Sequence, residues 1–512
     1  MVGDVARRAP ASSPIARGTR LAYPSAMGIL KKLGIALLVI VLVAMVAGYF
    51  LTRGDTADVA FDETVGTDPT LDEPEEESIP TVAIAEPVGW GEDELPTAAE
   101  GLAVTRFADG LDHPRTLQAL PNGDILVSLT RAPKIDSGES NFFRDLVAGF
   151  LFRKAGAGGE SANQVVLLRD SDGDGVAERR FVLRADLDSP SGLAWGDGTL
   201  YIANHDEVLA FDYELGATRL AGEGRKIADL AEGTGHWMRN LALHPDGDRL
   251  YAAVGSKSNI AEDGLEIEEG RALIWEINLE SGRQRVFGVG LRNANGLDFS
   301  PWSGELWTTV NERDMLGSDL VPDYLTNVPV GVHYGWPWIY FGDNFDRRVK
   351  YPIPQALSYV RTPEYALGPH VAALGFVFSE GGAKMGPDFA SGAFVARHGS
   401  WNRKPPSGYD VVYVAFDERG NPIGKPQPVL TGFLQDDGTT RGRPTWVEWA
   451  ADGSLLVSDD TAGIIWRVHA PGAEAQDAIE RVTGDRLPAQ RELRGQEASF
   501  GEDDFARRVT AE

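Results

Sequence analysis

One short pattern recurs six times between residues 117 and 460: an apolar strand, a tight turn built on Gly, Asn or Asp, and a second apolar strand. The copies are LQALPNGDILVSL (117–129), GLAWGDGTLYIAN (192–204), LALHPDGDRLYAAVG (241–255) and GLDFSPWSGELWTTV (296–310). A more diverged pair, LGFVFSEG with GAFVARHG (374–381 and 392–399), and VEWAADGSLLVSDD (447–460) complete the set. Each reads as a β-hairpin whose turn residues tolerate positive φ. Hairpins returning every ~45–75 residues favour a propeller, one blade per repeat. The expectation is an all-β chain, a six-bladed β-propeller over residues 96–469. A ring of blades leaves no long exposed edge, and the loops at the channel mouth are where function gathers.

Composition narrows the chemistry. Among 512 residues there is no Cys, so disulfide frameworks, zinc ribbons, iron–sulfur centres and thiol catalysis are all excluded. A net charge of −28 argues against nucleic acid as a partner.

The charge is unevenly spread. Residues 1–53 carry seven Lys or Arg against one acid, whereas 54–105 hold fifteen acids and no Lys or Arg. Leu33 to Leu51 is nineteen residues without a charge. As a helix it would extend about 28 Å, close to a bilayer core of about 30 Å. Lys31 and Lys32 precede it and acids follow from Asp55, which sets the N-terminus inside. The reading is a cytoplasmic segment 1–32, with Met27 (MGILKK) as an alternative start, and a transmembrane anchor 33–51. A single-pass inner-membrane protein with its propeller on the periplasmic, extracytoplasmic side follows. Residues 52–95, acidic and poor in large apolar groups, read as a disordered linker. Residues 470–512 read as a polar C-terminal tail, and the insertion 131–162 as carrying one amphipathic helix.

Several loops ahead of strands hold candidate chemistry. His236 in GTGHWMRNLALHPDG (233–247) lies three residues before Arg239, and a loop imidazole at a channel mouth suits proton abstraction from a hydroxyl. Arg292 and Asn293 in GVGLRNANGLDF (288–299) offer a charged fork for carboxylate or quinone oxygens. Glu312, Asp314, Asp319 and Asp323 crowd one loop with the oxygen ligands that Ca²⁺ prefers. Arg403, Lys404, Arg441 and Arg443, set in an acidic domain, suggest an anionic small ligand. Asp170, Asp172 and Asp174 in DSDGDGVAE match the first half of an EF-hand loop, but its twelfth position is Phe181 rather than Glu. A turn with a structural calcium is the reading there.

In order, HWMRNLALHPDG, GLRNANGL, NERDMLGSDLVPDYLT, YGWP, HGSWNRKPPSGY, GRP and SDDTAGIIWRV resemble the glucose/sorbosone dehydrogenase family, nearest in appearance to its L-sorbosone dehydrogenase branch. The resemblance spans about 96–469 and implies a propeller that binds pyrroloquinoline quinone (PQQ) and Ca²⁺. It implies His236 as catalytic base and Arg292 beside the reactive quinone carbonyl. Cofactor contacts are implied at Arg239, Asn293, His398, Arg403 and Arg443. Backbone carbonyls of Glu312, Arg313 and Asp314 are implied to hold calcium, although soluble glucose enzymes carry Gly-Pro there. The implied reaction is oxidation of an aldose or sugar aldehyde, with electrons passed on to an external cytochrome or quinone. A calcium-dependent lactonase-type hydrolase and a non-catalytic binding module stay open as alternatives.

Overall fold

The computed structural model describes residues 54–133, 153–232, 235–354, 357 and 359–482, with Ile35, Leu38, Val39 and Leu42 in addition. The chain divides into two compact units, 1–53 and 54–512. In the first, the four described residues are helical and exposed. No helix among the described residues is long and apolar enough to cross a membrane. The expected transmembrane anchor at 33–51 lies almost wholly outside them, and the single-pass inner-membrane placement built on it is withdrawn. The helix expected in 131–162 also falls largely outside.

The second unit is a ring of six sheets, each built on four antiparallel strands, and the six repeated hairpins form their two innermost strands. Blade I uses Pro114–Ala119, Ile125–Leu129, Gln164–Arg169 and Arg179–Arg184. Blade II uses Gly192–Gly196, Thr199–Ala203, Glu207–Asp212 and Arg225–Asp229. Blade III is Leu241–Leu243, Arg249–Val254, Leu273–Asn278 and Gln284–Val289. Blade IV is Asn293–Phe299, Leu306–Asn311, Pro322–Asn327 and Tyr365–Pro369. Blade V is Ala373–Phe378, Gly392–Arg397, Asp410–Phe416 and Pro422–Thr431. Blade VI takes Pro444–Trp449, Leu455–Asp459 and Ile464–His469 from late in the chain, and its outer strand, Ala103–Ala108, from before blade I. That pairing, Val104 opposite Val468, closes the ring.

Burial follows from position in the blade. Second strands such as Ile125–Leu129 and Leu455–Asp459 are buried at every residue, because neighbouring blades cover both faces. The fourth strand Arg179–Arg184 is largely open to solvent, with three Arg among its six residues and only Leu183 buried. The core is six apolar layers, one between each pair of adjacent blades, including Leu117, Ile125, Leu456 and Ile465 across the closure. Turn chemistry follows the sequence: Asp197 and Gly198 both adopt positive φ, 49° and 75°, in the blade II hairpin.

The acidic segment expected as a solvated linker is instead an ordered arm from Gly54 onward. Ala57 N donates to Lys404 O (2.7 Å), Ala83 N to Trp401 O (2.7 Å), and Gly66 bridges to Ala366. Phe61 lies under Arg397 and Arg403, and Trp90 packs edge-on against Phe433 and Trp466. A few spaced aromatic anchors and backbone hydrogen bonds replace the continuous apolar face that the segment lacks. The start of the expected polar tail is also held, Gln476 N donating to Ala383 O at 2.9 Å.

Candidate active site

Each innermost strand begins at one end of the central channel; the loops entering those strands carry His236, Arg239, Arg292 and Arg443, and the loops leaving the second strands carry Glu312, Arg313, Asp314, His398 and Arg403. His236 sits on the loop into blade III. Its Nδ1 is 2.8 Å from the Ser256 carbonyl oxygen, which can only accept, so Nδ1 carries the hydrogen. Burial, reinforced by the Arg292 charge, pushes this imidazole down to about 3. The ring is therefore neutral near pH 7, with an unprotonated Nε2. Close packing fixes it: Ser256 N donates to Arg292 O (2.7 Å), and a Cβ on Gly255 would lie 2.5 Å from His236 Cβ and 2.4 Å from Asn293 Oδ1.

Arg292 begins blade IV and is almost fully buried. Its guanidinium donates to Glu312 O (2.5 Å), Asn259 O (3.2 Å), Asn259 Oδ1 (3.0 Å) and Asp314 Oδ2 (2.8 Å). The other Asp314 oxygen accepts from Asn402 Nδ2 at 2.7 Å. Burial opposes ionisation of Asp314, but Arg292 and then His370 outweigh it and hold the carboxyl well below the usual range. Asn293 donates to Asn311 Oδ1 at 3.2 Å. The structure thus brings His236, Arg292, Asn293, Glu312 and Asp314 together.

A second group surrounds Asp460 at the same end. Its carboxylate meets Arg115 (2.5 Å), His398 (2.9 Å) and His113 (3.4 Å). Arg115 also reaches Met238 Sδ (2.7 Å) and lies 5.9 Å from the Trp237 ring centroid, which ties the group to the loop bearing His236.

Other expected residues take different parts. Arg239 is fully buried, and its guanidinium donates to the carbonyls of His236, Met238 and Ala231, so it braces the His236 loop from below. Arg313 turns away and pairs with Asp346. Arg403 pairs with Asp319 (3.1 Å) under Phe61 of the arm, and Arg443 reaches Ala85 O of the arm (3.3 Å) and the Tyr409 ring. The Asp314 carbonyl expected as a calcium ligand already accepts from Asn259 and twice from Arg313. Asp170, Asp172 and Asp174 lie on an outer hairpin of blade I. There Asp170 caps Gly173 N (2.7 Å) and Gly175 N (2.8 Å), and Glu178 joins the cluster. Asn259, His370, Asn402, His113 and Arg115 are not among the residues singled out from the sequence; Asn402 sits inside the HGSWNRKPPSGY motif, and the others come from segments without a motif of their own.

Several buried polar atoms in these groups have no partner among the described residues: Glu312 Oε1, Arg115 Nε, Arg443 Nε and His113 Nδ1. Burial pushes the Glu312 carboxyl up to about 7. Unfilled guanidinium donors suit an anionic ligand, and an enclosed carboxylate oxygen without a counter-ion suits a cation.

The TrAA12-like family profile matches residues 160–328 and 355–471. The chain belongs to that family. A pyrroloquinoline quinone-dependent pyranose dehydrogenase from Coprinopsis cinerea is 27% identical over 338 residues, 54% of this chain and 45% of the relative. The chain thus matches less than half that relative's length. The solved PQQ domain of pyranose dehydrogenase from the same fungus superposes with a TM-score of 0.57 at 21% identity, over 75% of this chain and all of that one. A Trichoderma reesei family AA12 enzyme solved with calcium gives 0.59 at 20% identity, over 73% and 97%. These structures share the TrAA12-like fold, and the resemblance drawn from the motifs holds.

Proposed function

We propose that this TrAA12-like propeller is a PQQ-dependent dehydrogenase of sugars or sugar aldehydes. The observation that carries the reading is His236: a buried, neutral imidazole with its tautomer set by Ser256 O and its Nε2 free to accept a proton. The residues present fit the cofactor and its ion. Arg115 and Arg443 have unfilled donors for an anion bearing carboxylates, and Glu312 has an unfilled carboxylate oxygen for Ca²⁺. With the Asp314 carbonyl already occupied, calcium would be held through the Glu312 side chain in preference to the expected run of carbonyls. When bound, PQQ supplies the two-electron acceptor chemistry.

The chain's own residues do the rest. His236 Nε2 takes the hydroxyl proton of the substrate carbon being oxidised, and its neutral state keeps that lone pair available. Arg292 sets fixed positive charge beside it, held by four acceptors so that it does not reorganise during the reaction. Arg239 and the Asp460 group hold the 235–238 loop. An external electron acceptor would complete turnover.

A hydrolase of the lactonase type needs a central metal held by side chains from several blades. Among the described residues, the two groups with metal-compatible spacing are Asp170, Asp172, Asp174 and Glu178, and His244, Asp246 and Asp248. Both lie on single hairpins away from His236. The deciding experiment adds PQQ and Ca²⁺ to the purified chain and follows dye reduction with a panel of aldoses and aldehydes. His236→Ala is expected to abolish turnover while cofactor binding, read by thermal shift, persists. Near-normal turnover in that variant would overturn the base assignment, and absence of PQQ binding to the parent would overturn the function.

A further inference from the structure

The central channel has a second mouth. The innermost strands that begin near His236 end at Ala119, Gly196, Leu243, Phe299, Phe378 and Trp449, on the opposite side of the ring. There they enclose a cavity of about 250 Å³ lined by residues of all six blades. Trp195, Phe299, Trp446 and Trp449 form much of its wall. Three acids face one another across it, Asp298 from blade IV, Glu380 from blade V and Glu448 from blade VI, and no Lys, Arg or His is among its lining residues.

No cationic side chain pairs with these carboxylates among the residues lining the cavity. Asp298 accepts two backbone N–H groups, Phe299 at 2.7 Å and Phe378 at 2.8 Å. Glu448, half-buried, accepts Trp449 N at 3.1 Å, and no hydrogen bond from a described residue reaches its other oxygen. No hydrogen bond reaches the Glu380 carboxylate from any described residue. Burial pushes Asp298 up to about 7 and Glu448 well above its ordinary value, and the charges of Glu380 and Asp298 add to the rise at Glu448. A positive ligand would relieve all three at once.

Spacing and walls select the kind of cation. The triads of metal-compatible spacing, with ligand atoms within 4.8 Å, do not include this one among the described residues, so a single ion is not gripped by all three. Indole and phenyl faces attract organic cations and cover apolar stems, and ammonium N–H groups make strong hydrogen bonds to carboxylates. We propose that this mouth binds a small organic cation, a protonated amine on an apolar stem, at a site separate from the His236 centre.

The test is calorimetric titration of the purified chain with benzylamine at about pH 8, above the raised Asp298 value. Benzyl alcohol and CaCl₂ serve as comparison ligands. One saturable benzylamine site is expected, weakened about tenfold or more in Glu448→Gln, with no binding of benzyl alcohol. Glu380→Gln, at the exposed rim, is expected to weaken binding as well and remains informative if Glu448→Gln fails to fold. The proposal is overturned by absence of saturable binding, by equal affinity for benzyl alcohol, or by affinity unchanged in the folded variants. Calcium binding with the same dependence on these acids would also overturn it, by making the mouth a metal site. None of these readouts involves PQQ or turnover.

Discussion

Asp460→Asn removes one charge from a carboxylate that only 1% of its side-chain surface exposes. Arg115, itself 10% exposed at the side chain, then keeps a permanent charge with no counter-ion. Burial pushes His113 down to about 4, so near neutral pH it is uncharged and Arg115 is the partner that matters. Breaking one side of a buried ion pair costs about 3–5 kcal/mol, and the retained amide places this substitution near the lower figure, about 3 kcal/mol. Unfolding entropy of roughly 2 cal/mol/K per residue over roughly 370 propeller residues gives about 0.8 kcal/mol/K, hence a Tm lower by about 4 °C. The assay is a thermal melt of the parent, Asp460→Asn, Arg115→Met and the double variant. The double variant is expected to lose at least about 1.5 kcal/mol less than the sum of the singles, because the second change removes the charge that the first stranded. Additivity within about 0.5 kcal/mol would refute the pairing. Amide exchange at 235–238 is expected to quicken in Asp460→Asn, since Arg115 also contacts Trp237 and Met238.

Two further outcomes follow from the His236 neighbourhood. Gly255→Ala is expected to fold yet lose at least about tenfold in cofactor affinity, because its Cβ would overlap Asn293 Oδ1 and His236 Cβ at 2.4 and 2.5 Å. Parent-like affinity in a binding titration would show that the packing is slack. In the cofactor-free chain, the His236 ring is expected to show no titration by NMR between about pH 5 and 8, its value having fallen from the ordinary 6.5 to about 3. The sign is that of a group disfavoured as a cation: its contribution to stability is complete above about 6.5 and declines as pH falls towards 3. A midpoint near 6.5 would contradict the burial and the Arg292 effect.

The blades were legible because their signal is local: a turn of Gly, Asn or Asp between two apolar strands, repeated six times. Closure was not, since Ala103–Ala108 meets Ile464–His469 across the whole chain and neither strand announces the other. The arm was misread for a related reason. Phe61 and Trp90 are anchors spaced too widely to make a periodic pattern, and backbone hydrogen bonds leave no trace in composition. At the site, residue types pointed to His236 and Arg292. What gives them their chemistry, Ser256, Asn259, His370 and Asn402, arrives from separate loops. Arginines were the hardest to assign. Arg239 is expected as a cofactor contact, yet its guanidinium folds back onto the carbonyls of His236, Met238 and Ala231, a choice that residue type alone does not reveal.

Ring closure by the strand Ala103–Ala108 has a consequence for synthesis. The ribosome releases that strand first, but its partner, Ile464–His469, emerges more than three hundred and fifty residues later. At roughly 5–20 residues per second the early strand waits on the order of tens of seconds with its backbone donors and acceptors unmatched. Five sheets can assemble in sequence during that interval, while the seam between the first and last blades stays open. The final latch is thus a check on completeness: a message cut short before Ile464 yields a gapped ring with an exposed strand edge, ready to pair with another chain.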